Sequence, residues 1–121
     1  MLNKKSLDGH VDALILGILV KQPSYGYRIV QQLNELAPDV LRMGEGTVYP
    51  VLHRMEERGL LTAKWEKGKS GRPRKYYYVS RHGKQQLVTA EKQWIALRRL
   101  MDVVFPKELP SRQPHENGAL L

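Results

Sequence analysis

Apolar residues return along this chain in two rhythms. Val11, Leu14, Ile15, Ile18 and Leu19 follow the i, i+3, i+4, i+7, i+8 spacing of one core-facing helical stripe. Residues 1–7 read as a loose lead-in, and Asp8 is placed to cap a helix running to about Lys21, where Gln22-Pro23 ends it. A second helix is expected from Ser24, with Ile29, Val30 and Leu33 as its apolar face and Leu36 near its end; Ala37-Pro38 stops it. Val40 to Met43 is expected as a short strand. A third helix carries Val48, Leu52 and Met55 on one stripe. Its start falls within Gly46 to Tyr49, with Thr47 as a capping hydroxyl and Pro50 still in the first turn; Gly59 is its stop. The rhythm then changes to two. Leu61, Ala63 and Trp65 alternate with Thr62, Lys64 and Glu66, which predicts a half-buried strand. Lys67 to Arg74 has turn composition, Lys75 to Val79 is rich in strand formers, and the two strands should pair as a hairpin. Ser80 to Gly83 caps a last long helix. Its residues Leu87, Ala90, Trp94, Leu97, Met101 and Val104 form a heptad seam, with Val88, Ile95 and Phe105 beside it. Pro106 stops that helix.

These elements predict a mainly α fold with a small β-hairpin: a winged helix-turn-helix over residues 1–79, then a dimerisation helix over 80–105. Residues 106–121 read as a disordered tail. A seam this broad, following an already complete small domain, should meet a second copy of itself; Val88 is expected to turn inward while the Leu87–Val104 seam meets the partner. In the third helix, Tyr49, His53 and Arg54 lie off the buried stripe and are free to enter a DNA groove. Of Tyr25 and Tyr27, one ring is expected in the core and one near phosphate, with Tyr27 the more buried.

Charge sharpens this picture. The chain carries a formal +8. The stretch from Lys64 to Lys84 holds eight basic residues against one acid, a surplus of seven. Charge concentrated this way favours phosphate, whereas a merely solubilising surface intersperses both signs. The expected DNA-facing set is Ser24, Tyr25, Gly46, Thr47, Tyr49, Pro50, His53, Arg54, Lys67, Lys69, Ser70, Arg72, Arg74 and Lys75. A catalytic or metal-binding role finds no support. His10, His53, His82 and His115 are scattered, cysteine is absent, and neither a nucleophile elbow nor a Walker or dinucleotide fingerprint occurs. No cofactor or metal is expected. No apolar run approaches the ~20 residues of a membrane span, and the start has no secretory signal pattern, which fits a cytoplasmic protein. The competing class is a winged-helix protein adaptor or RNA binder, which would not need Lys and Arg concentrated on the wing beside an exposed His53-Arg54 pair.

Tyr25-Gly26-Tyr27 with Ile29, the run Gly46 to Glu56, Gly59-Leu60-Leu61, and Arg74 to Val79 with Gly83 resemble the PadR family of bacterial transcriptional regulators over about residues 8–105. Val48 and Met55 stand where the family more often has Leu, or Leu or Ile. The resemblance is to the short subgroup with a single C-terminal helix. It implies a homodimer, joined through the last helix and parts of the first, that binds a palindromic operator and usually represses. It also implies an effector near the dimer interface, where Trp94 would stack a planar aromatic compound against its two-fold copy.

Overall fold

A computed structural model describes residues 2, 4–7 and 9–108. Compact contacts divide the chain into two units, Met1–Thr89 and Ala90–Leu121. Helix α1 (Lys4–Leu7) is followed by α2 (Val11–Lys21), strand β1 (Ser24–Tyr25), α3 (Gly26–Leu36), α4 (Glu45–Glu57), strands β2 (Leu61–Lys67) and β3 (Pro73–Val79), and α5 (Arg81–Val104). The three strands form one antiparallel sheet in the order β1-β3-β2.

In the first unit the helical stripes converge. Ile15, Leu16 and Leu19 of α2, Ile29, Val30 and Leu33 of α3, and Val48, Val51, Leu52 and Met55 of α4 are buried in one core. Leu60, Leu61 and Tyr77 close it from the hairpin side. The expected stripe on α4 holds at every position, and Gly59 ends that helix with φ +77. The amides of Gly59 and Leu60 fold back onto the Glu56 and Met55 carbonyls, which satisfies acceptors left free at the helix end.

Several boundaries differ from expectation. The lead-in contains the single turn α1, because Leu7 joins the core. The expected cap at Asp8 lies outside the described residues, and α2 begins only at Val11. Ser24 does not start the second helix. Ser24 and Tyr25 pair with Tyr77 and Tyr76 as a short strand, and α3 begins at Gly26. Residues 40–43 form no strand: the Val40 and Leu41 amides turn back to the Ala37 carbonyl, and the Asn34 side chain takes both backbone groups of Met43. The Asn34 amide oxygen accepts from the Met43 N–H at 2.7 Å, while its nitrogen donates to the Met43 carbonyl at 2.7 Å and the Val30 carbonyl at 2.9 Å. This clamp fixes the turn between α3 and α4.

Helix α4 starts at Glu45, ahead of the expected point, so Thr47 lies in its first turn and makes no side-chain cap. Pro50 therefore sits one turn deeper than expected. Having no N–H, it leaves the carbonyl of exposed Gly46 without its helical donor. The hairpin pairs from Leu61↔Val79 to Lys67↔Pro73. Leu61 and Ala63 face the core, but the strands outrun it, so Trp65 is 71% exposed rather than half-buried. Ser80 caps α5 as expected: its hydroxyl accepts from the Gly83 N–H at 3.0 Å and donates to the Gly59 carbonyl at 2.5 Å. A Cβ on Gly83 would stand 2.2 Å from the Leu60 carbonyl oxygen, so only glycine lets this helix start so close to the end of α4. Leu87 packs against the core while Val88 is exposed, the reverse of the expected orientation.

The second unit continues α5 to Val104. From residue 91 to 108 every residue is exposed, including Trp94, Ile95, Leu97, Leu100, Met101, Val104 and Phe105. The tail expected over 106–121 lies outside the described residues from position 109 onward.

Candidate nucleic-acid interface

The exposed side of α4 is made by its sequence. With Val48, Val51, Leu52 and Met55 turned into the core, Gly46, Tyr49, Pro50, His53 and Arg54 are left outward. The His53 Nε2 lies 3.4 Å from a Glu57 carboxylate oxygen one turn on, and both side chains are well exposed. The Thr47 and Val48 amides turn back to the Gly44 carbonyl, and the start of α4 carries the partial positive charge of a helix N-terminus.

Tyr49 is set by Gly26. A Cβ at position 26 would come 2.9 Å from the Tyr49 ring, so glycine allows the ring to lie against the first turn of α3. Tyr25, Gly26, Tyr27, Tyr49 and Tyr77 then line a concave surface of about 460 Å³ with Arg72, Arg74 and Lys75 from β3 and its loop. Burial first, then the neighbouring Glu45 carboxylate, holds the Tyr49 hydroxyl above the usual tyrosine value. The hydroxyl keeps its proton at neutral pH and can donate a hydrogen bond. The Arg74 guanidinium lies 4.1 Å from the Tyr25 ring centroid, and Tyr76 meets the same ring edge-on at 5.5 Å. These contacts hold a flexible cation in one place beside the mouth of the concavity.

The hairpin loop is ordered by its own backbone. Gly68 donates to the Arg72 carbonyl at 3.1 Å, Gly71 donates to the Gly68 carbonyl at 2.9 Å, and Gly71 takes φ +80. Lys67, Lys69, Ser70 and Arg72 are exposed there.

Not every expected residue reaches this surface. Ser24 is only 6% exposed, because strand pairing turns it inward. Tyr27 is 52% exposed, while Tyr25 is the more enclosed of the two, with Arg74 over its ring and Tyr76 edge-on to it. Lys75 lines the concavity half-buried and already partnered: its ammonium donates to the Glu56 carboxylate at 3.0 Å and lies 5.3 Å over the Tyr77 ring. Thr47 and Arg54 lie apart from the tyrosines. They line a second concavity of about 240 Å³ with Asp12, Arg42 and Gly44. Arg42 escaped the sequence reading because nothing in the expected strand marked it out. Beside Thr47 and Arg54, Asp12 pairs with Arg58 at 3.1 Å. Among the described residues no group of three or more His, Asp or Glu side chains is placed to hold a metal, and no helix is long and apolar enough to cross a membrane.

The profile of the transcriptional regulator PadR-like family matches residues 15–89, which is more than half of the chain. The chain belongs to the PadR family. Similar solved structures include a PadR-like transcriptional regulator from Bacillus cereus, 27% identical with a TM-score of 0.77, covering 87% of this chain and 100% of that one. A PadR family transcription regulator from Clostridium difficile R20291 is 33% identical with a TM-score of 0.72, over 79% of this chain and 98% of that one. The transcriptional regulator YqjI of Escherichia coli is 27% identical over 106 residues, which is 86% of this chain and 44% of that protein. PadR members are DNA-binding transcriptional regulators, not enzymes. The helix-turn-helix with a hairpin wing is the shared fold, and the residues that carry the PadR resemblance lie on β1, α3, α4, the hairpin and the start of α5.

Proposed function

We propose that this PadR protein is a cytoplasmic repressor that binds a palindromic operator as a homodimer and leaves it when an effector binds at the dimer interface. The observation that carries the DNA reading is the outward face of α4 flanked by a basic hairpin and a tyrosine-lined concavity. An outward helix start of this kind suits the major groove, and exposed Lys67, Lys69, Ser70 and Arg72 suit the adjacent backbone. Gly46 and Pro50 leave that face low enough for close approach. Tyr25 and Tyr49 offer hydroxyls to phosphate, with Arg74 held over the Tyr25 ring. Arg54, Thr47 and His53 are the candidates for base edges.

The dimer reading is supported by α5. Trp94, Leu97, Met101 and Val104 are large apolar side chains left exposed at heptad spacing, in line with half-buried Ala90. A two-fold axis through this seam would bring Trp94 toward its copy, where two indole faces can take a planar aromatic effector. Leu87 packs on the protomer's own core and is left out of the seam.

Selection of binding sites from a random duplex pool, followed by footprinting, tests the reading. The expected product is an inverted repeat with half-sites about one helical turn apart. Arg54→Ala should then weaken binding by about 1–3 kcal/mol per half-site and relax preference at one position. Enrichment of no sequence over the pool would overturn the operator reading.

A further inference from the structure

The basic residues of the hairpin are not equivalent. Lys67, Lys69 and Arg72 are exposed, whereas the Lys75 side chain is 32% exposed and the Glu56 carboxylate it meets is 33% exposed. Of the ion pairs among the described residues this is the most enclosed; the others keep at least one side chain more than half exposed. Glu56 stands in the last turn of α4, where its carbonyl also accepts the Gly59 N–H. Lys75 stands near the start of β3, across from Trp65 and two residues before buried Tyr77, over whose ring its ammonium lies. Strand alternation sends Arg74 toward Tyr25 and Lys75 the other way, toward α4. Beside the apolar packing of Leu61 and Tyr77 on α4, this pair adds a charged contact between the helix and β3, made by residues nineteen apart in the chain.

We propose that Glu56 and Lys75 form a strut that sets the angle of the basic hairpin against α4, so that Lys75 is a positioning residue for DNA binding and not a phosphate contact. The inference rests on the DNA-binding reading above. It makes an acidic residue on the groove-facing helix favourable for binding a polyanion. Simple charge counting gives the opposite sign. Removing an acid near phosphate should tighten binding, and removing a phosphate-contacting lysine should lower the salt slope by about one per contact.

Full-length Glu56→Gln, Lys75→Gln, the double variant, and the reversed pair Glu56→Lys with Lys75→Glu are titrated against a duplex enriched by the wild-type protein, over a series of salt concentrations. The strut predicts that each single variant weakens binding by about three- to thirty-fold, that the double variant is no worse than either single, and that the reversed pair recovers most of the loss. The salt slope should stay that of the wild type. Thermal melts confirm that each variant is folded; where a single variant is not, the folded reversed pair carries the test. Glu56→Gln binding as tightly as wild type or tighter overturns the strut. So does a Lys75→Gln slope lower by about one per protomer, or a folded reversed pair that stays as weak as the singles. A wild-type protein that binds no duplex overturns the DNA reading and the strut with it. Wild-type binding with a failed sign test overturns the strut alone.

Discussion

Leu52 and Leu97 sit on helices with similar apolar spacing. Leu52 is 1% exposed, in a core to which helices, hairpin and the start of α5 all contribute; Leu97 is 39% exposed, in a stretch where no residue is buried. Periodicity reports that a face wants cover. It does not report whether the cover lies in the same chain. For Leu52 the surrounding elements answer that question. For Leu97 the answer proposed above is a second copy, and the two sites should respond differently to perturbation.

The largest effect is expected at the open site. Leu97→Asp would put a carboxylate on both sides of a two-fold seam, and an unpaired buried charge costs about 3–5 kcal/mol. Sedimentation should show monomers at concentrations where the wild type is dimeric, and the rise of the wild-type melting temperature with protein concentration should vanish. An unchanged dimer would remove α5 from the interface. Leu52→Ala should cost about 2–5 kcal/mol through lost burial and a residual cavity. Measured by denaturant titration, that loss belongs to the protomer and should be the same in the Leu97→Asp background. A smaller effect is expected at Asn34, whose amide holds both backbone groups of Met43. Asn34→Ala should cost about 1–3 kcal/mol by leaving those groups unpaired. Since the clamp fixes the approach to α4, amide exchange should accelerate first around Met43.

The contrast also explains what could be read from sequence. The stripe of Val48, Leu52 and Met55, the stop at Gly59 and the cap at Ser80 follow from local spacing and local chemistry, and the structure has them. The pairing of Ser24 and Tyr25 with β3 is not local: a two-residue strand exists only because Tyr76 and Tyr77, some fifty positions on, present a free edge. Trp65 fits a half-buried alternation, but burial needs a core beneath the strand, and the hairpin has run past it. Tyr27 and Tyr25 exchange roles for a related reason: strand pairing, not the helical pattern, sets which ring is enclosed. At the candidate interface, composition picked out the basic hairpin loop, and Lys67, Lys69 and Arg72 are exposed there. It treated Lys75 as one more cation, because its partner Glu56 lies on another element.

Gly83 has a consequence for anyone who would strengthen this protein. Glycine inside a helix normally lowers stability by about 0.5–1 kcal/mol relative to alanine, so helical glycines are natural targets for replacement. Gly17 in α2 fits that recipe, with nothing within 4 Å of an added methyl group. Gly83 inverts it: the methyl would meet the Leu60 carbonyl oxygen at 2.2 Å and the Val79 side chain at 2.8 Å. Backbone oxygen cannot step aside as a side chain can. A stabilisation campaign guided by helix propensity alone would pry the start of α5 away from the end of α4, where Leu60 and Val79 leave no room for a methyl group.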